Sequence, residues 1–180
     1  MSLRVLELPP EKEIEPVKGI VHALLTGPDG EVKYEKTLEN LITLIGLQML
    51  GERATGITSP PNQVSGGKLG TGTTAVAYTG AGAALVTYLS GTQVAVNSGY
   101  PQSSAPGSPS TGTRQIRWQF VWAAGVGTNT ALAEAVIVNE STLTDATTAA
   151  ANTLARVLLS PTINKGSSDQ LTLTWDWQLG

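Results

Sequence analysis

LTLTWDWQLG, residues 171–180, alternates apolar and polar side chains without a break. Leu171, Leu173, Trp175, Trp177 and Leu179 fall on one side; Thr172, Thr174, Asp176 and Gln178 fall on the other. A period of two is the signature of a pleated strand with one buried face. RQIRWQFVWAAG, residues 114–125, repeats the pattern, with Ile116, Trp118, Phe120 and Trp122 opposed to Gln115, Arg117 and Gln119. All four tryptophans lie in these two segments. Facing aromatic strands bury large areas and form cross-strand pairs. The last strand is therefore expected in the sheet interior, beside or facing residues 114–122, so that the fold depends on a completed chain.

The remaining segments read outward from that pair. VKGIVHALLT (17–26) is a strand, GPDG (27–30) a turn, and EVKYEKT (31–37) the returning strand of a hairpin. Thr43 is placed to cap a short helix, LIGLQMLGER (44–53), whose Leu44, Leu47, Met49 and Leu50 supply an apolar face. Gly46 and Gly51 weaken that helix, so it must lean on a core. Residues 54–67 are a loop, KLGTGTTA (68–75) a short strand, and a further strand falls near Thr92–Asn97. GYPQSSAPGSPSTG (99–112) is a long uncharged loop. ALAEAVIVN (131–139) is an apolar run, and NTLARVLLSPTI (152–163) alternates in a way that covers both of its faces. Several short strands with turn signals and one helix predict a mainly β fold: an antiparallel β-sandwich or jelly roll. Residues 1–16, interrupted by Pro9, Pro10 and Pro16, read as an extended N-terminal arm ahead of a single domain, 17–180.

The 180 residues bury enough surface to fold without staples, and cysteine is absent. That removes disulfides, thiolate chemistry and cysteine metal sites. Net charge is −3 with 11 Lys and Arg, and no basic cluster marks a nucleic-acid surface. No apolar run approaches a membrane span of about 20 residues, and the first 16 residues lack a signal-peptide core. Nine of the 14 acids and six of the 11 bases precede residue 54, whereas no charge lies between Lys68 and Arg114. An uncharged surface of small residues suits a protein covered by neighbours.

No constellation of reactive groups emerges. His22, the single histidine, sits mid-strand with no nucleophile-elbow motif to serve. GGKLGTGTT lacks the Gly-Lys-Ser/Thr ending of a phosphate loop. Glu134 reads as a strand-start residue, Asp169 as a turn residue and Asp176 as part of a polar strand face. Glu140 and Asp145 match no calcium-loop spacing. Asn139-Glu140-Ser141 fits a glycosylation acceptor only as a pattern. No catalytic residue, metal ligand or cofactor is expected. Tyr100 and Pro101, in the uncharged loop, are candidate contact residues, since tyrosine among Gly and Ser is common contact chemistry.

Taken in order, four segments resemble small structural proteins of tailed bacteriophages. They are GPDGEVKYEKTLENLITLIGLQML (27–50), LGTGTTA (69–75), AEAVIV (133–138) and LARVLLSPTINKGSSDQLTLTWDW (154–177). The resemblance implies a β-sandwich virion component, either a capsid decoration (cement) protein or a tail-associated one, with no catalytic residues. The expected partners are the major capsid protein and further copies of the chain as a dimer or trimer, with no nucleic acid and no membrane. The expected location is the outer capsid surface, after assembly in the host cytoplasm. Val5, Leu6 and Leu8 in the arm are the expected partner contacts, ordering on a neighbouring subunit by adding to a sheet edge. The alternative is a tail or fibre module that adheres to a host surface glycan through the 99–112 loop.

Overall fold

The structure, a computed structural model, describes residues 17–57, 59–103 and 115–179. It is mainly β. In chain order the elements are β1 (Lys18–Thr26), β2 (Val32–Ile42), α1 (Leu44–Thr55), β3 (Gly66–Gly70), β4 (Val94–Ala95), β5 (Gln102–Ser103), β6 (Gln115–Trp122), β7 (Asn129–Val138), β8 (Thr153–Lys165) and β9 (Gln170–Gln178). The nine strands form one antiparallel sheet in the order β4-β3-β7-β8-β2-β1-β9-β6-β5. The sheet curls into two facing layers, the sandwich-like arrangement that the alternating patterns predict.

β9 is interior, as its composition demands. It pairs with β1 from Lys18↔Gln178 to Thr26↔Gln170 and with β6 from Gln115↔Gln178 to Trp122↔Leu171. Trp118 and Trp175 stand directly opposite each other across β6 and β9. Trp122, Trp175, Trp177 and Phe120 are fully buried. Phe120 and Trp175 meet edge to face at 6.4 Å, and Trp118 and Trp177 do so at 5.0 Å, the arrangement favoured by ring quadrupoles. Buried indole N–H groups need acceptors. Trp122 Nε1 donates to the Thr92 carbonyl at 2.6 Å, and Trp175 Nε1 donates to the Asn40 side chain. Leu179 departs from the pattern: it lies past the end of β9 and is exposed.

The opposite layer contributes Leu69, Leu132, Ala135, Ile137, Val157, Leu159 and Ile163 to the same core. Gly67 in β3 lets the layers close, because a Cβ there would stand 3.0 Å from the Phe120 ring. β8 is covered on both faces from Thr153 to Leu159, as its alternation predicts, but Ser160, Pro161 and Thr162 are exposed. Its outer face is sheathed by residues 71–92 and 139–152. Leu85 and Leu143 from these segments pack on Val136 and Val138 of β7.

Several sequence boundaries move. The hairpin turns at 27–30, with Gly30 at φ 79° and its N–H on the Gly27 carbonyl, but β2 runs on to Ile42 rather than stopping at 37. β3 ends at Gly70, so residues 71–75 are loop, not strand. The strand near Thr92–Asn97 shrinks to Val94–Ala95. The helix forms as read. Thr43 Oγ1 accepts from the Gly46 N–H at 3.2 Å, and Gly56 (φ 68°) closes the C-terminus in the left-handed region. The arm residues Val5, Leu6 and Leu8 lie outside the described residues.

Candidate functional site

Three surface features can engage a partner: a groove at the root of the arm, a second groove beside the uncharged loop, and one edge of the sheet. The first groove, about 270 Å³, is lined by Val17, Gly19, Ile20, Glu39, Asn40, Leu41, Ile42, Leu47 and Tyr78. Beside it, Leu44 and Tyr78 are 53% and 56% exposed, and the Leu44 N–H bonds the Tyr78 carbonyl. Val17, the residue before β1, lines this groove.

The second groove, about 300 Å³, lies between α1 and β6 and is lined by Met49, Leu50, Arg53, Gln63, Val64, Pro101, Ile116 and Trp118. Pro101 lines this cleft. Tyr100 is placed differently. It is half-buried on the outer face of the β6 layer, where Gln119 Nε2 donates to its hydroxyl at 3.3 Å. Asn97 Nδ2 donates to Gln119 Oε1 at 2.7 Å in the same row.

The third feature is β2 itself. It pairs with β1 from Asn40 to Val32 with one register shift beside Val32, but among the described residues its other side meets β8 only at Leu41↔Arg156 and Ile42↔Ala155. Beyond that corner the strands diverge. Lys36 Nζ donates to the Ser160 carbonyl at 2.6 Å across the gap.

The buried charges are all engaged inside the fold. Glu134 is not at a strand start; it sits mid-strand in β7, fully buried, with Arg156 Nη2 at 2.8 Å. Its oxygens also accept the N–H groups of Gly72, Val86 and Thr87, while Arg156 donates to the carbonyls of Thr74 and Gly82. Together they fasten residues 71–87, which lack a ladder of their own, to the sheet. Lys68 is likewise buried and binds both Glu140 oxygens at 2.7 and 2.8 Å. Burial pushes the Glu140 carboxyl up, but hydrogen bonds from Lys68, Thr148 and the Thr144 N–H outweigh it and hold it below its ordinary value. Asp145 is also held low, chiefly by the Gly91 N–H and then by the Tyr88 hydroxyl. Burial, and then that same Asp145 contact, push the Tyr88 hydroxyl up to about 12.

Asp176 is on the polar strand face, as read, yet it is only 2% exposed. Arg117 clamps it with two bonds of 2.7 Å, and His22 Nε2 lies 3.6 Å away. His22 Nδ1 shares a hydrogen bond with Thr37, and the ring is half exposed. Asp169 is in its turn, accepting from the Gly166 N–H and from Lys33 Nζ at 2.9 Å. Asn139 is buried, with its Nδ2 on the Asn62 carbonyl, so the glycosylation pattern is committed to packing. Among the described residues no group of three or more His, Cys, Asp or Glu is placed to hold a metal ion.

Sequence reasoning missed the open side of β2 because pairing partners are set by tertiary curvature, not by local pattern. The lone charges within apolar runs, Lys68, Glu134 and Arg156, were the available signal for the loop fastenings. Comparison with protein-family models, curated proteins and solved structures finds no match to this chain.

Proposed function

We propose that the protein is a non-enzymatic virion component that adheres to the outer face of a capsid lattice and stabilises it. The observation carrying this reading is the use of the buried charges. Lys68, Glu134, Arg156, Lys165 and Asp169 each bind a partner that fastens a loop or turn to the sheet, and Asp176 binds Arg117 across two adjacent strands. Such a molecule presents grooves and an edge on a stiff scaffold. The order of segments that resembles tailed-phage structural proteins points the same way. A partner that binds only the assembled lattice stabilises it by mass action. The arm and the groove at its root would supply the contact, with copies of the chain and the major capsid protein as partners.

The test mixes purified protein with capsids that lack it. Saturable binding at a fixed ratio to lattice units supports the reading; binding to host cells and not to capsids defeats it. The second outcome favours the alternative, a tail-associated module for a surface glycan. One row of residues speaks for that alternative: Tyr100, Gln119 and Asn97 present hydroxyl and amide groups in a hydrogen-bonded line.

A further inference from the structure

The open side of β2 has a definite geometry. Residues 33–40 pair with β1 on one side, and among the described residues no other strand pairs with them on the opposite side. Such a row of unpaired N–H and C=O groups is a template for a further strand unless the sequence blunts it. The diverging strand β8 is blunted. Pro161 has no N–H, Lys36 and Tyr34 reach the carbonyls of Ser160 and Pro161, and the β7–β8 register shifts twice between Asn129 and Glu134. β2 carries none of these devices between 33 and 40: it has no proline, and its pairing to β1 shifts only at the far end, beside Val32. Lys36 shares the side of β2 whose Tyr34 and Leu38 pack on the core. It therefore closes the seam between the layers rather than the edge in the plane of the sheet. Glu35, Thr37 and Glu39 are exposed on the outer side.

The geometry points to one occupant: residues 3–8 of the arm of a second copy, added as a strand along β2. This deepens the adhesive reading above, on which it rests, by naming the arm's acceptor. The chain supplies the segment. LRVLEL, residues 3–8, has a donor and an acceptor at every position and no proline, whereas Pro9, Pro10 and Pro16 each lack the N–H that a ladder requires. Added with Arg4 on the face of Glu35 and Glu39, the segment would set a positive charge beside two carboxylates and turn Val5 to the face of Tyr34 and Leu38. The root of the arm explains why the acceptor belongs to another molecule. Val17 precedes β1 at the Leu41 end of β2, and there the β2–β8 pairing at Leu41 and Ile42 closes the way round to the arm's own edge. Eight residues, 9–16, could span about 25 Å at roughly 3.1 Å per residue if extended, enough to bridge to a neighbour.

The absence of cysteine makes the test direct. Full-length V5C and full-length E35C are mixed, and a short bis-maleimide is added. A V5C–E35C heterodimer is expected, and it should disappear when the V5C chain also carries L6D and L8D. Hydrogen exchange of the amides of residues 33–40 in the cysteine-free chain should slow at least tenfold as concentration rises through the association range, and should not slow in V5D/L6D. Exchange that does not vary with concentration, or a mixture that gives no V5C–E35C heterodimer, overturns the inference. Capsid binding is scored separately. If V5D/L6D binds no capsid yet self-associates like the parent, the inference fails and the adhesive reading stands. If copies join through β2 but no capsid is bound, the reading fails and the inference stands.

Discussion

The Glu134 carboxylate lies 2.8 Å from the Arg156 guanidinium, and neither side chain reaches water. The two residues sit on adjacent strands, and each also binds backbone groups of residues 71–87. Removing one partner leaves a buried charge without its counterion, which costs about 3–5 kcal/mol. Glu134→Gln and Arg156→Met should each lower the stability measured by urea unfolding by that order. The double variant Glu134→Leu/Arg156→Met should lose less than the sum, since no isolated charge remains. It should still fall below the parent, because the loop N–H and C=O groups keep no partner. Singles that unfold within about 0.5 kcal/mol of the parent would show that water reaches the pair.

Acid should loosen the fold from its turns and loops. Asp169 is held below its ordinary value first by the Lys33 hydrogen bond and then by the Gly166 N–H. Asp145 and Glu140 are depressed as well. A carboxyl with a depressed folded pKa adds stability that is complete above the unfolded pKa, and that stability is lost as pH falls through the folded one. The loss should therefore begin near the ordinary carboxylate range, around pH 4, and continue below it. Urea midpoints taken from pH 7 to pH 3 should show that decline, with a shallower slope in Asp169→Asn. An unchanged slope in that variant would mean the Lys33 contact does not persist in solution.

What was legible in the sequence is what local pattern controls. The period of two in residues 115–122 and 170–178 gave the central strands and their buried rings, and Thr43 gave the helix start. Asp169 was read correctly because Gly166 to Asp169 form a local turn. Asp176 was read only in part. Its face follows from parity, but its burial comes from Arg117 on β6 and His22 on β1, whose adjacency to β9 no local pattern reveals. Glu134 was misplaced for the same reason: its partners Gly72, Val86, Thr87 and Arg156 are remote in sequence. The candidate surfaces divide likewise. Pro101 was singled out through the composition of its loop, whereas the open side of β2 follows from where β8 diverges.

Among the described residues β9, Gln170–Gln178, is the strand that stands between β1 and β6. A chain ending at residue 170 should therefore fail to fold, with no cooperative unfolding transition and the tryptophan emission of a solvent-exposed indole. A milder change at the same place, Trp175→Ala, should cost about 3–5 kcal/mol, as expected for emptying a fully buried aromatic site. Cooperative unfolding in the truncated chain would place the folding nucleus in the other layer.

Two glycines in one helix should respond in opposite directions. In a helix interior, alanine is favoured over glycine by about 1 kcal/mol. At Gly51 a Cβ would meet nothing within 4 Å, so Gly51→Ala should gain most of that preference. At Gly46 a Cβ would stand 2.2 Å from the Leu154 carbonyl oxygen and 2.8 Å from Ile42 Cγ2. The oxygen belongs to the β8 backbone, which also receives the Thr43 N–H and so cannot retreat without loosening the helix cap. Gly46→Ala should therefore destabilise by more than the propensity gain, about 1–3 kcal/mol net for forced overpacking. Thermal unfolding of the two single variants reads the difference directly. Equal stabilisation by both would mean that α1 does not rest on β8 at Gly46, and that the groove lined by Leu47 and Val17 is set by some other contact.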